Sequence, residues 1–136
     1  MRKNIEQLIQ DFINDSLFLK EYSEVGTLAR DGYDPKLTIK IGKKINTNIK
    51  TILQSDSGIE KFKLLLKNEN GYIKFLAARY LYPLMEKEAM KIMIDYKKSL
   101  VKEIDILEVD TIINGIKKGE KIFMSQFNEI YGKQMY

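Results

Sequence analysis

The sequence predicts an all-α protein of about six to eight short helices, arranged as a compact array of antiparallel helical hairpins. Three observations support this fold class. Apolar residues recur three and four positions apart along most of the chain, which is the spacing of one face of an α-helix. Alternating apolar and polar runs, which would indicate strands, are nearly absent. The chain has only two prolines, Pro35 and Pro83, and both fall where the pattern predicts a helix boundary.

The N-terminal part of the chain carries two predicted helices. Apolar residues at spacings of three and four predict an amphipathic helix over 4–13. Ser16 is a residue type that favours the N-cap, so it predicts the start of a second helix that runs to about residue 30. The turn-forming segment RDGYDP, 30–35, separates this pair from the rest of the chain.

A long amphipathic helix is predicted over 35–55. Asp34 followed by Pro35 is typical of a helix start, because proline at the first helical position has the required φ and sacrifices no hydrogen bond. The segment SDSG, 55–58, is predicted to end this helix. The apolar stripe of the helix consists of Leu37, Ile41, Ile45, Ile49, Ile52 and Leu53.

Short helices separated by turns continue through the second half of the chain. The apolar residues from Ile59 to Leu66 predict one helix, and NENG, 68–71, predicts the turn that follows it. After Pro83, a further helix is predicted from Leu84 to Tyr96. These segments predict at least one helix–turn–helix hairpin.

The C-terminal part of the chain is predicted to hold two more helices. The segment 100–118 contains the first, with a break expected near 103–107, and Gly119 is typical of a helix end. The second, about 120–131, is interpreted as a terminal cap helix, with a dimer seam as the less favoured alternative. The apolar residues of that last helix are Phe123, Phe127, Ile130 and Tyr131.

Residues 73–82 are apolar on most of the circumference of their predicted helix. At about 100° per residue, one face holds Ile73, Leu76, Ala77, Tyr80 and Leu81. Phe75 and Ala78 lie on the other face. A helix of this kind is expected to be covered on more than one side, as in a layered array. The adjacent Ala77 and Ala78 are small enough for a neighbouring backbone to approach closely.

These residues resemble the second helix of a HEAT-type repeat. That helix follows a turn with Asp or Asn and reads Val-Arg, two residues, Ala-Ala, two residues, Leu. The corresponding residues here are Asn68, Glu69, Asn70, Ile73, Lys74, Ala77, Ala78 and Leu81. The resemblance implies a compact HEAT/armadillo-like region over about 35–119.

Residues 44–119 more specifically resemble the bacterial family called domain of unknown function 2019. The likeness lies in KKINTNIKTILQ, in FKLLLKNENGYIKFLAARYLYPLMEKEAMKIM and in DTIINGIKKGE. Ile116 stands where that family often has Trp. The resemblance implies a small all-α domain and carries over no catalytic residue.

The composition excludes the commonest catalytic and metal-binding arrangements. The chain has no His and no Cys, which removes the usual general base, the thiolate nucleophile and the preferred zinc ligands. A Ser–Lys pair at Ser99 is formally available, but a helix-cap Ser among solvated lysines is favoured. Three carboxylate pairs are spaced i,i+2, on different faces of a helix: Glu86/Glu88, Glu103/Asp105 and Glu108/Asp110. We therefore expect no enzyme, no cofactor and no metal.

The chain is expected to be a single bacterial, cytoplasmic domain over 1–136. Its length suffices for one hydrophobic core, and its composition, 44% hydrophobic and 31% charged, is typical of soluble globular proteins. The N-terminus lacks the continuous apolar segment of a signal peptide. No stretch approaches the roughly 20 apolar residues that a membrane helix needs.

Charge is distributed unevenly along the chain. Residues 1–34 hold four Lys or Arg against seven Asp or Glu, whereas residues 35–55 hold five Lys and no acid. Those five project within one sector of the helix, opposite its apolar stripe, and we call them the lysine face: Lys36, Lys40, Lys43, Lys44 and Lys50. A face of one sign suggests an acidic partner, because exposed helices usually mix Glu with Lys. The alternatives are a solvated outer face and neutralisation by the acidic N-terminal segment.

A second candidate partner-binding site consists of Phe75, Arg79 and Tyr82. These residues are four and three positions apart, on the side of the helix away from the core of its own hairpin. Aromatic residues and Arg are the usual anchors of protein interfaces. Packing against the next layer of helices is the favoured alternative.

These observations predict a non-catalytic protein-binding module, such as an adaptor or an immunity-type partner, by analogy of fold. Nucleic-acid binding through the lysine face is the alternative, disfavoured because the face holds no Arg and no aromatic residue. An enzyme of unrecognised chemistry is a distant third. The expected partner is another protein, with an acidic surface as one option, and the chain is expected to be a monomer or a weak homodimer.

Overall fold

The computed structural model describes residues 3–24 and 32–136. Across these residues every regular element is helical, as seven α-helices and two short 3-10 segments. The predicted all-α array is therefore confirmed. The chain divides into two compact units, residues 1–61 and 62–136. The prediction of one domain over the whole chain stays a prediction.

The first unit is built around two antiparallel helices, α1 (Ile5–Glu24) and α2 (Pro35–Leu53). The end of α1 lies beside the start of α2, because the amide of Asp34 donates to the hydroxyl of Tyr22 at 2.7 Å. Asp15, earlier in α1, pairs with Lys44, further along α2. Antiparallel packing lets each helix bury one apolar stripe against the other. The buried apolar residues on these two helices are Phe12, Ile45, Ile49, Ile52 and Leu53.

α1 is one continuous helix, so the predicted boundary at Ser16 is wrong. The Ser16 side chain lies in the middle of α1 and is only 3% exposed. The helix start is instead fixed by Asn4 and Gln7, whose side chains each accept a hydrogen bond from the amide of the other. This reciprocal pair satisfies two amides that the helix leaves unbonded. The predicted continuation beyond residue 24 lies outside the described residues.

α3 (Asp56–Lys63) begins two residues after Gln54, so the break predicted at SDSG is shorter than expected. Gly58 makes this tight junction possible. A Cβ atom at Gly58 would lie 1.9 Å from the carbonyl oxygen of Ile52, so the close approach of the two backbones requires glycine. A 3-10 segment, Leu64–Lys67, follows α3.

The second unit is a succession of packed helices. α4 contacts α5, α5 contacts α6, and α6 contacts α7. A 3-10 segment, Tyr82–Leu84, joins α4 to α5. It contains Pro83, where the sequence predicts a helix boundary. The bounds of the helices are α4 Gly71–Leu81, α5 Glu86–Ser99, α6 Glu103–Lys117 and α7 Lys121–Tyr131.

α4 is covered on most sides, as its composition predicts. Asn70 begins the helix, because its side-chain oxygen accepts hydrogen bonds from the amides of Tyr72 and Ile73 at 3.0 and 3.2 Å. Ala77 and Ala78 are both fully buried, which agrees with the close approach expected for this pair. The buried residues of the helix are Ile73, Phe75, Leu76, Ala77, Ala78, Tyr80 and Leu81.

The predicted break near 103–107 is wrong, because α6 is continuous from Glu103 onward. The interruption is the short segment 100–102, where Leu100 has an extended backbone. The predicted helix end at Gly119 is confirmed by a left-handed φ of 68°, and Gly132 ends α7 in the same way with a φ of 65°. Glycine adopts this conformation without the steric cost that other residues meet.

Candidate partner-binding site

The N-cap of α2 determines where the helix starts and therefore where the lysine face points. The Asp34 side chain accepts a hydrogen bond from the amide of Lys36 at 3.0 Å, and Pro35 occupies the first turn. This cap fixes the start of the helix and therefore the direction of every side chain on it. Because the apolar stripe is buried on one side of α2, the lysines project from the other side.

The structure brings the lysine face together as a surface. Lys36, Lys40, Lys43 and Lys44 are exposed and Lys50 is partly exposed. The ammonium group of Lys44 lies 3.1 Å from a carboxylate oxygen of Asp15 on α1. The predicted neutralisation by the acidic N-terminal segment therefore occurs at this position.

Three members of the lysine face keep their charge available. Lys36, Lys40 and Lys43 form no ion pair with the residues that the structure describes. Like charges at these spacings repel weakly, so an acidic partner would relieve repulsion as well as add attraction. The pair Lys44–Asp15 sits beside them and anchors the face to α1.

Ile39 is a member of this surface that the sequence analysis did not identify. Its side chain is 58% exposed and lies three residues from Lys36 and four from Lys43, so the three are neighbours on one side of α2. The signal was present in the sequence, since Ile39 falls outside the apolar stripe of the helix. The surface is therefore basic with an apolar side chain at its edge.

The second predicted site belongs to the interior of the second unit. Phe75 is 1% exposed, and its ring stacks on Tyr96 of α5 with 5.0 Å between centroids. A side chain buried in this way is not an exposed interface anchor, so the anchor interpretation of Phe75 is corrected. Packing against the next helix, the alternative stated above, describes its position.

Arg79 and Tyr82 make contacts of the same internal kind with α7. The guanidinium of Arg79 donates to the side-chain oxygen of Gln126 at 3.2 Å and lies 5.8 Å from the ring centroid of Phe123. The ring of Tyr82 stacks on Phe127 at 6.0 Å. Both side chains remain partly exposed, but their polar and aromatic groups are engaged in holding α7 against the end of α4.

α7 has the character of the predicted cap helix. Phe127, Ile130 and Tyr131 are buried within the second unit. The segment after Gly132 is tied back to α7, because the side-chain oxygen of Asn128 accepts hydrogen bonds from the amides of Met135 and Tyr136 at 2.6 and 3.0 Å. The apolar side of this helix is therefore occupied inside the fold.

One of the carboxylates considered for chemistry, Asp110, and the serine, Ser99, have structural partners. Lys97 of α5 donates to Asp110 of α6 at 2.7 Å, and this hydrogen bond holds the pKa of Asp110 below its ordinary value. The Ser99 hydroxyl donates to the carbonyl of Tyr96 at 2.6 Å. Over the described ranges, no three metal-ligating side chains come together.

None of the described helices is both long enough and apolar enough to cross a membrane. No protein-family profile, no curated protein and no solved structure matches the chain. The resemblance to the family of domain of unknown function 2019 therefore stays a prediction.

Proposed function

We propose that this protein is a non-catalytic protein-binding module whose lysine face docks on an acidic surface of a partner protein. The observation that carries the proposal is the exposed Ile39 between Lys36 and Lys43. A protein partner can bury that apolar side chain and pair the surrounding charges in one interface. We also propose that the protein is bacterial and that its fold is HEAT-like. By analogy of fold, an adaptor or an immunity-type inhibitor of a toxin would bind its partner in this way.

Nucleic acid is the second candidate for the lysine face. The unpaired charges of Lys36, Lys40 and Lys43 favour it, because ammonium groups bind phosphates and release the counterions around them. The face offers no guanidinium fork for base edges and no aromatic ring for stacking. Ile39 would also meet a charged backbone at the edge of the contact. A protein partner therefore fits the surface better.

The two candidates are separated by reversing the charge of the face. In the face variant, Lys36, Lys40 and Lys43 are all replaced by Glu. The matched control carries the same change at Lys102, Lys121 and Lys133, which are also exposed. Both variants should melt near the wild-type temperature, because exposed charges contribute little to stability.

Affinity purification from the source organism then tests the proposed function. The wild type and the control should retain the same protein after nuclease treatment, and the face variant should lose it. Ile39→Gln should also lose it, because this change removes the apolar side chain and leaves every charge of the face unaltered. Retention of the same partner by the face variant would contradict the proposal.

A gel-shift titration with mixed DNA and RNA tests the nucleic-acid alternative. If each of the three lysines neutralises one phosphate, affinity should fall roughly fortyfold between about 50 and about 200 mM salt. Binding by the wild type that persists at the higher salt, and is lost in the face variant, would replace the protein-binding proposal with a nucleic-acid one.

A further inference from the structure

The outer side of α6, with Val101 just before the helix, forms an apolar surface that the described residues leave exposed. Val101, Ile104 and Leu107 are 92%, 66% and 65% exposed, and we call them the α6 apolar face. The other side of the helix is already used, since Val109, Ile113 and Ile116 are buried. Three adjacent aliphatic side chains in water are unusual enough to indicate an interaction surface.

Negative charge borders the α6 apolar face. Glu103 and Glu108 are exposed, and neither forms an ion pair with a described residue. Both stand within two turns of the start of α6. A partner for this face must therefore supply apolar area together with positive charge.

A groove on α5 has the complementary composition. It has a volume of about 660 Å³ and is lined by residues of α5, by Tyr82 and by Lys117 from the last turn of α6. Its apolar floor includes Met90 and Ile94, which are both partly exposed. Four lysines and two acidic residues stand around that floor: Lys87, Lys91, Lys98, Lys117, Glu86 and Asp95.

Positive charge exceeds negative charge around the groove. Lys91 pairs with Asp95 at 2.9 Å. Lys87, Lys98 and Lys117 form no ion pair in the part of the chain that the structure describes. The groove therefore combines an apolar floor with unpaired ammonium groups, which is the reverse of the charge pattern around the α6 apolar face.

We propose that the α6 apolar face of one molecule docks in the α5 groove of a second copy of this chain. Ile104 and Leu107 are separated by about 4.5 Å along their helix, and Met90 and Ile94 by about 6 Å along theirs. These two side chains of the α6 apolar face therefore contact the two apolar side chains of the groove. Glu103 and Glu108 then face the unpaired lysines of the groove. Opposite charges around an apolar centre fix both the partner and the orientation.

The proposed contact joins two different surfaces, so it is heterologous. Each molecule keeps one free α6 apolar face or one free groove after it pairs, and further copies can add head to tail. Self-association should therefore rise with concentration and weaken as salt screens the charges. This contact is independent of the lysine face on α2 and of the function proposed for it.

Two charge-reversed variants of the whole chain test the proposal. The groove variant carries Lys87→Glu, Lys98→Glu and Lys117→Glu. The α6 variant carries Glu103→Lys and Glu108→Lys. All five positions are exposed, so both variants should fold, which circular dichroism and thermal melting verify. Each variant alone should sediment as a monomer, because both of its surfaces then carry the same sign.

The mixture of the two variants gives the decisive result. The intact α6 apolar face of the groove variant is opposite in charge to the intact groove of the α6 variant, and the two altered surfaces are also opposite in charge to each other. Sedimentation velocity should therefore show that the mixture associates as the wild type does, whereas each variant alone does not. Ile104→Gln with Leu107→Gln should weaken wild-type association at unchanged charge.

A wild type that stays monomeric at the highest attainable concentration would overturn the proposal. So would a mixture that remains monomeric, or an α6 variant that still associates by itself. None of these outcomes depends on the lysine face, so they leave the proposed function on α2 to its own test.

Discussion

The hydroxyl of Tyr131 donates a 2.7 Å hydrogen bond to the main-chain carbonyl of Tyr80. The carbonyl lies where α4 passes into the 3-10 segment Tyr82–Leu84. In a 3-10 turn it would accept from the amide of residue 83, but Pro83 has no amide hydrogen. The last helix of the chain therefore supplies the donor that the proline removes, and it ties α7 to the end of α4.

Tyr131→Phe should lower the free energy of unfolding by about 1–2 kcal/mol, because it removes the donor of a hydrogen bond to a buried carbonyl. Ring volume and packing are preserved, so the loss reports on the hydrogen bond. Urea denaturation of wild type and variant measures it. Equal stability would show that the carbonyl finds another donor.

Alkaline pH should destabilise the protein. Burial raises the pKa of Tyr131 above its ordinary value, and burial beside Glu86 does the same for the pKa of Tyr136. The unfolded chain then loses these protons first, so stability is complete below about pH 10 and falls as the pH rises further. The unfolding free energy measured across this range should fall less steeply in Tyr131→Phe than in the wild type.

Gly115→Ala should destabilise the protein by about 1–3 kcal/mol, the usual cost of overpacking. A Cβ atom at Gly115 would lie 2.1 Å from the ring of Phe123 on α7. The control is Gly42→Ala in α2, where a Cβ meets nothing within 4 Å. That change should stabilise by up to about 1 kcal/mol through helix propensity. Opposite signs in thermal melting are the expected result.

Ala77→Arg should cost several kcal/mol, because Ala77 is fully buried and a long charged side chain has no space or partner there. Glu69→Arg, at an exposed position of the preceding turn, is the control and should be nearly neutral. If Ala77→Arg melts like the wild type, the HEAT-like reading of 68–84 fails.

Ser16→Ala should leave stability unchanged or raise it by about 1 kcal/mol, since the buried Ser16 hydroxyl has no hydrogen-bond partner among the described residues and Ala is the better helix former. Ser99→Ala removes a hydroxyl that donates to Tyr96 and should not stabilise. A marked loss in Ser16→Ala would show that its hydroxyl is bonded in solution.

Local signals predicted most helix boundaries. Some helix boundaries are set by the backbone geometry of one or two residues, as at Asp34 with Pro35, at Asn70 and at Gly119. The local sequence was therefore enough to predict these boundaries. Ser16 misled because a residue that favours caps is also tolerated inside a helix when packing against another helix decides the structure.

The surfaces were predictable to different degrees. The lysine face follows from helical spacing alone, whereas the groove needs Lys98 and Lys117 to meet from separate helices, which no local pattern reports. The exposure of Ile104 and Leu107 had a visible signal, because α6 is apolar on both sides. Which side would be buried depended on where α5 and α7 pack.

The burial of α4 has a consequence for how this protein can change over time. Buried side chains are concentrated in α4, where even Ala77 and Ala78 are fully buried. Ile39 of α2 and Ile104 of α6 contribute little to that core, because both are exposed. Mutations can therefore change the outer sides of α2 and α6 at little cost to the fold, whereas changes in the interior of α4 are costly.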